Sequence, residues 1–443
     1  MRRAPMSSRS PVRALARLTQ PFLSFLRTTA ASGGLLLLAT AAALAWANGP
    51  FSASYRAMLA WPLSVGAGAH AARFTLHALV DDGLMSLFFL LVGLEIKREL
   101  VKGELATARQ ALLPAVAALG GMVAPARIYV ALNLGHGTAS GWGTPTATDI
   151  AFSLSCARLA GGRIPPSVVV LLTALAIFDD LGAIVVIALF YGDGVTLAAL
   201  APVAAALLAL ALLNRQNIHN PYVYLVVGAG LWWALHRAGI HPSLAGVALG
   251  AAIPAHAARP GDVVLSDVAA EIAGLDAGTE GSRDAAVQAI EKHLEAAQAP
   301  LDRIEHELTP WVAYVVVPAF ALTNAGVELG ALSLADLASP VTLGVALGLL
   351  VGKPLGVMTA TWAAVRAGLS PMPRGATWGH LLAVSSLAGI GFTMSLFIGQ
   401  LAFSAPADLN RAKAGILIGS LASAVAGVAI ALAQPRRPDG STG

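Results

Sequence analysis

The chain has 443 residues, 56% hydrophobic and only 12% charged, with a formal net charge of +4. Soluble domains run near 25% charged, so this balance excludes an ordinary soluble domain and marks a polytopic membrane protein. The one cysteine, Cys156, excludes an intramolecular disulfide and reads as a small packing residue.

Six arginines, Arg2, Arg3, Arg9, Arg13, Arg17 and Arg27, precede an apolar run from Gly33 to Ala47. A signal or transit peptide would share that pattern; the reading adopted is a basic cytoplasmic tail over 1–32 and an uncleaved first span. Hydropathy and punctuation give twelve expected spans, centred near Leu38, Leu91, Ala118, Phe152, Phe178, Leu207, Gly228, Val247, Val317, Leu347, Gly389 and Leu421. Spans 1–8 occupy 33–256 and spans 9–12 occupy 310–433, with a cytoplasmic tail over 434–443. Lys and Arg then fall mainly on the inner side, as the positive-inside rule requires, with both termini cytoplasmic. Between the two blocks, 257–309 is a polar inner loop with 11 acidic residues against 4 Lys and Arg. Within it Val287, Ile290, Leu294 and Ala297 recur at helical spacing, which predicts an amphipathic helix over Ser282–Gln298.

Charged groups inside the spans carry the chemistry. Asp82 opens the second span, and Glu95 closes it beside Lys97, Arg98 and Glu99, a pattern that suits an interfacial ion-pair cluster. In the fourth span, Gly141-Trp-Gly-Thr-Pro-Thr-Ala-Thr-Asp149 places Gly143, Pro145, Thr148 and Asp149 in an otherwise apolar run. That reads as a helix broken near the midplane, whose freed carbonyls can meet cations and whose freed N–H groups Asp149 can compensate. A kinked helix with a capping Asp is the plainer alternative.

The fifth span holds Asp179 and Asp180 side by side half way along Ser167–Tyr191. One Asp at the centre of a spanning helix costs roughly 2.5–3.5 kcal/mol on insertion scales, and a neighbouring carboxylate adds repulsion. The pair therefore needs a cation, a proton or a basic partner, either as an ion path or as structural ion pairs. Lys353, in Val351-Gly-Lys-Pro-Leu355, is the ammonium available to it. Adjacent helical residues point about 100° apart, so one Asp can face Lys353 while the other faces a wet cavity. Gly389 and Gly391 interrupt the eleventh span, and paired interruptions in different halves of a chain point to a transporter's binding site. His241 and His306 are groups that titrate near neutrality when unperturbed.

These residues resemble the bacterial NhaA sodium/proton antiporters, a family that itself exemplifies inverted repeats and broken helices. The resemblance is carried by Asp82–Leu100 (DGLMSLFFLLVGLEIKREL), Thr148–Phe152 (TDIAF), Ala176–Gly182 (AIFDDLG), His241–Pro254, Leu301–Val327, Gly352–Pro354 and Gly389–Met394 (GIGFTM). It implies an all-α fold of twelve helices in inverted repeats, with the spans of Asp149 and Gly389 unwound and crossing. It implies that Asp180 is the sodium and proton carboxylate, and that Asp179 alternates between the cation and Lys353. Thr148 and Asp149 fill the crossed breaks, and Asp82 lines an outer pathway. Glu95, Arg303, Glu305 and His306, together with His241, are implied in pH control. A homodimer in the bacterial inner membrane follows from the same resemblance.

The sequence departs from the family pattern at Asp302 and in its longer, more acidic loop, which bears on the pH set point; Phe178 and Pro242 are smaller variations. The function expected is electrogenic, pH-regulated exchange of inner Na+ or Li+ for outer protons, with the bilayer, monovalent cations and protons as partners. No enzyme activity, cofactor or nucleic acid is expected, and no P-loop is present to drive a primary pump. The alternatives are a sodium-coupled organic-anion carrier and an intramembrane aspartyl protease. The protease would need Gly-x-Gly-Asp, where this chain has Phe392 after Gly391.

Overall fold

The computed structural model describes residues 29–65, 72–103, 105–192, 194, 199–257, 259, 261–273, 288–290, 293 and 297–435. Most of the basic tail expected over 1–32, most of the amphipathic helix expected over Ser282–Gln298, and residues 436–443 lie outside the described residues.

In chain order, α1 is Thr29–Asn48 and α2 is Ser52–Leu59, followed by an antiparallel hairpin of β1 (Pro62–Val65) and β2 (Ala72–Thr75) in the register Pro62 to Thr75. A π-turn, Leu79–Leu84, leads into α3 (Met85–Val101), and α4 is Ala108–Asn133. The 3₁₀ segment Ala139–Thr146 precedes α5 (Ile150–Leu159), α6 (Pro166–Phe190), α7 (Leu200–Arg215), α8 (Pro221–Ala238) and α9 (Leu244–Ala252). Then come α10 (Gly261–Ala273), α11 (Pro300–Trp311), the π-turn Val312–Val316 and α12 (Val317–Asn324). The short α13 (Leu334–Leu337), α14 (Pro340–Leu347), the π-turn Gly348–Gly352, α15 (Lys353–Arg366), α16 (Trp378–Ala388), α17 (Phe392–Ala402) and α18 (Pro406–Ala433) complete the chain.

Local chemistry sets several of these starts. Proline opens α6, α8, α11, α14 and α18, where its fixed φ suits a first turn and its missing N–H costs nothing. Gly239, at φ 75°, closes α8 in the left-handed conformation that a side chain would strain.

Among the described residues, six helical stretches are long and apolar enough to cross a membrane: Ala31–Asn48, Gln110–Asn133, Pro166–Phe190, Pro300–Ala331, Pro340–Arg366 and Pro406–Ala433. The pair α16 and α17, bent by 45°, makes a seventh if taken as one span. The expected centres at Leu91, Phe152, Leu207, Gly228 and Val247 also lie on helices, though these do not pass the same test of length and apolarity. A helix start at Pro300, inside the stretch read as loop to Thr309, was not anticipated. Leu301 and Glu305 face inward there, so a polar-looking sequence hides a half-buried turn. The hairpin was not anticipated either.

Glycines let the helices around the site approach closely. A Cβ on Gly356 of α15 would stand 2.0 Å from the carbonyl oxygen of Gly120 on α4, and one on Gly246 of α9 would stand 2.2 Å from that of Ser86 on α3. Such small-residue contacts suit helices that pack without a hydrophobic drive between them. The outer surface is apolar, as at Val226 and Leu421, which suits a chain solvated by lipid.

Candidate functional site

The two interruptions expected from sequence meet in space. Residues 147–149 run extended between the 3₁₀ segment and α5, and Gly389–Gly391 separate α16 from α17. The Asp149 N–H donates to the Ile390 carbonyl at 2.7 Å, and Ser153 Oγ donates to the Leu387 carbonyl at 2.8 Å. Backbone groups freed by one break are thus satisfied by the other, as buried backbone requires where no water reaches. Gly389 is demanded by this approach, since a Cβ there would lie 2.4 Å from the Leu349 carbonyl oxygen. Gly143 N–H donates to Tyr191 Oη at 3.2 Å, and Pro145 lies against Gly348 in the π-turn before Lys353.

Asp149 sits between two helix starts. Its Oδ1 accepts the Phe152 N–H at 2.9 Å at the head of α5. Its Oδ2 accepts the Thr393 N–H at 3.2 Å and the Thr393 hydroxyl at 2.5 Å at the head of α17. A carboxylate at the positive poles of two helices is electrostatically favoured on both sides.

α6 carries the aspartate pair into the same region. Asp179 Oδ2 lies 2.7 Å from Lys353 Nζ, with both side chains fully shielded from solvent. Thr148 Oγ1 lies 2.6 Å from that same oxygen and 2.7 Å from the Ala388 carbonyl, and Lys353 Nζ also donates to the Thr146 carbonyl. One hydroxyl proton thus has two acceptors to choose from. Oδ1 of Asp179 and Oδ1 of Asp180 are buried with no hydrogen-bond partner among the described residues. The structure therefore brings together Asp179, Asp180, Lys353, Thr148 and the two breaks, with Asp149 bound to one of them.

The expectation that one aspartate faces a wet cavity is not met. Asp180 is 1% exposed and is absent from the lining of the roughly 770 Å³ cavity between Asp82 and Ser404. Beside the pair on α6, Met122 packs against Gly182, its Sδ 2.2 Å from where a Cβ would stand. Carboxylate, hydroxyl and backbone carbonyl oxygens form a set suited to a hard cation. Among the described residues, no three His, Cys, Asp or Glu side chains converge on a metal position.

Other expected residues lie apart from this centre. Asp82 and His241 line this cavity, with His241 Nε2 3.7 Å from Asp82 Oδ1 and its ring packed edge-on against Phe397. At the other end of α3, Arg98 pairs with Glu305, and also with Glu99 at 3.1 Å, while Lys102 pairs with Asp302 at 2.8 Å. Glu95 lies half-buried near them; His306 is exposed and Arg303 half-buried.

Sequence reasoning missed a second polar group. Asn324 at the end of α12 donates to Asp81 Oδ1 at 2.7 Å, and His77 reaches Asn324 Oδ1 at 2.9 Å and Asp81 Oδ2 at 3.2 Å. Gln400 of α17 also donates to Asn324 Oδ1. The doubled acid Asp81-Asp82 was the available signal. Thr393, inside the quoted GIGFTM stretch, was likewise not singled out.

A family model described as Na+/H+ antiporter 1 matches residues 23–431. The Na(+)/H(+) antiporter NhaA of Anaeromyxobacter sp. (strain Fw109-5) is 49% identical over 436 residues, covering 98% of this chain and 95% of that one. NhaA 1 of Myxococcus xanthus (strain DK1622) is 46% identical over 437 residues, covering 97% of each. The solved sodium proton antiporter MjNhaP1 of Methanocaldococcus jannaschii aligns over 93% of this chain and 98% of that one at 15% identity and a TM-score of 0.46, too loose a likeness to carry weight. With identity this high across nearly the whole length of two curated relatives, the chain belongs to the NhaA family of Na+/H+ antiporters.

Proposed function

We propose that the chain exchanges cytoplasmic Na+ or Li+ for external protons at the Asp179–Asp180 pair, electrogenically and under pH control. The observation that carries this reading is the charge count of one shielded cluster. Two buried carboxylates face a single ammonium, and one oxygen of each carboxylate has no partner. Such a cluster has room for one more positive charge, and a proton and a partly dehydrated Na+ compete for the same oxygens.

Na+ draws Asp180 and Asp179 together as ligands, which takes Asp179 away from Lys353. Protons restore the pairing and expel the cation. If the cycle moves one net positive charge inward, the membrane potential supplies about 2.3 kcal/mol per 100 mV, with roughly 1.4 kcal/mol more per pH unit per proton. Reorientation takes place about the contact of the two broken segments, which we read as discontinuous helices crossing near the midplane of a twelve-span inverted-repeat fold. The Arg98–Glu305 group with Glu95 is the candidate for inner pH control, and Asp82 with His241 marks the outer route. The protein is placed in the bacterial inner membrane as a homodimer with both termini inside.

Everted vesicles acidified by respiration test this. Addition of NaCl should alkalinise wild-type vesicles, and Asp180→Asn should abolish the response. Proton-tight wild-type vesicles that ignore Na+ and Li+ across about pH 6.5–9, a window around the titration range of His, would overturn the reading.

A further inference from the structure

α18, the last long apolar helix, lies against α14 and the broken span of α16 and α17 through small residues. A Cβ on Gly419 would stand 3.0 Å from Ala346 Cα, and one on Gly427 would stand 2.6 Å from Leu387 Cδ2. Between these contacts α18 carries two buried serines, Ser420 and Ser423. Ser420 Oγ accepts the N–H of Phe392 at 3.2 Å. Phe392 is the first residue of α17, so its N–H has no carbonyl partner within its own helix. The following N–H, that of Thr393, goes to Asp149. The positive pole of α17 is therefore shared between a carboxylate beside α5 and a hydroxyl from α18. Helix starts usually take such a serine from the residue just before them; this one comes from a different span.

Ser423, one turn further along α18, is fully buried, and its Oγ has no hydrogen-bond partner among the described residues. It stands 2.7 Å from where a Cβ on Gly389 would be, so the hydroxyl is aimed at the break itself. Buried hydroxyls without partners are rare, and one beside a hinge needs an explanation.

We infer that Ser420 is a positioning residue for the exchange, holding the N-terminus of α17 against Asp149, and that Ser423 is the second station, bonding a backbone group of 389–392 when α17 shifts along α18. The inference rests on the reading of the broken span as the moving part of the ion site. It gives α18 a place in the transport cycle beyond that of a packing helix.

The test uses the full-length protein with Ser420→Ala, Ser420→Cys, Ser420→Thr and Ser423→Ala. Amide hydrogen exchange over 389–396 reads the hold directly. Ser420→Ala should speed exchange at Phe392 by about three- to tenfold, the worth of one net hydrogen bond. In vesicles the same variant should raise the KM for Na+ by a similar factor and displace the pH profile, with Ser420→Thr restoring both. Ser423→Ala should leave KM near wild type and lower the maximal rate. Packing alone would change protein yield without moving KM or the pH profile. If Ser420→Ala does not accumulate, the isosteric Ser420→Cys, a weak acceptor, carries the same expectations. Unchanged exchange at Phe392 overturns the inference, and so does an unchanged KM. An unchanged maximal rate in Ser423→Ala removes the second station. A wild type that shows no Na+ exchange defeats the antiport reading, while the amide measurement still decides whether Ser420 holds α17.

Discussion

Lys353 Nζ lies 2.7 Å from Asp179 Oδ2, and neither side chain reaches solvent, while the adjacent Asp180 has a buried oxygen without a partner. One ammonium thus serves two carboxylates. Breaking a buried pair by removing one member typically costs about 3–5 kcal/mol, because the charge left behind has no compensation. Lys353→Met should therefore lower the melting temperature of the detergent-purified protein substantially. Lys353→Met combined with Asp179→Asn should recover most of that loss, since the second change removes the stranded charge. A single variant that melts with wild type would refute the counter-ion role given to Lys353.

The Asp149 carboxylate ties the heads of α5 and α17 together, and Thr393 is its one side-chain donor among the described residues. Thr393→Val keeps the shape of the side chain and deletes that donor, at about 1.5–3 kcal/mol for a hydrogen bond to a charged group. Asp149→Asn should be worse, because an amide offers one acceptor atom where three donors now converge. The expected order of Na+ KM is wild type, then Thr393→Val, then Asp149→Asn. Equal KM values for all three would show that Asp149 caps helices without bearing on the ion.

The aspartate pair, its ammonium and both breaks were legible in the sequence because each is expensive inside a membrane: Asp179, Asp180 and Lys353 by charge, Gly143, Pro145, Gly389 and Gly391 by lost backbone bonding. What could not be read was which polar groups satisfy which. The carbonyls of Thr146, Ala388 and Ile390 have no sequence signature, yet they fix Lys353, Thr148 and Asp149. Ser420 was invisible for a related reason, since serine is unremarkable on a spanning helix until a partner strand of backbone lies opposite it. The group of His77, Asp81, Asn324 and Gln400 draws on three separated stretches, and periodicity within one helix cannot reveal it. The reach of helix to Pro300 was hidden because polar residues there face partners at the end of α3 and just beyond it, Arg98 and Lys102.

Glycine positions separate close approach from mere occurrence. A Cβ on Gly389 would meet the Leu349 carbonyl oxygen at 2.4 Å, and a backbone atom cannot swing aside as a side chain can. Gly34 on α1 has nothing within 4 Å of its Cβ position. Gly389→Ala should destabilise the protein by about 1–3 kcal/mol, as overpacking does, and impair exchange. Gly34→Ala should leave transport unchanged and stabilise the helix by up to about 1 kcal/mol. Thermal melting and vesicle assays on the two variants in parallel test this contrast, and equal behaviour would defeat it.

Asp336, in the connection between α12 and α14, gives a pH prediction outside the spans. Its Oδ2 accepts the Ser333 hydroxyl at 2.7 Å and the Ser333 N–H at 2.9 Å, and its Oδ1 accepts Arg411 Nε at 2.8 Å. The Ser333 hydrogen bonds, and after them that of Arg411, hold its pKa down at about 2. An unfolded Asp titrates near 3.9, so the folded form binds its proton more weakly. The contribution is therefore complete above about pH 5, declines below about 4, and is lost as pH falls through the folded pKa. Asp336→Asn should melt below wild type at pH 7, and the gap should close progressively between about pH 4 and 2, the interval between the unfolded and folded pKa values. The variant also loosens Arg411, which retains its pair with Asp408 at 2.9 Å, a contact within α18 itself. A gap of the same size at pH 7 and at pH 2.5 would mean that Asp336 contributes through packing and not through its charge.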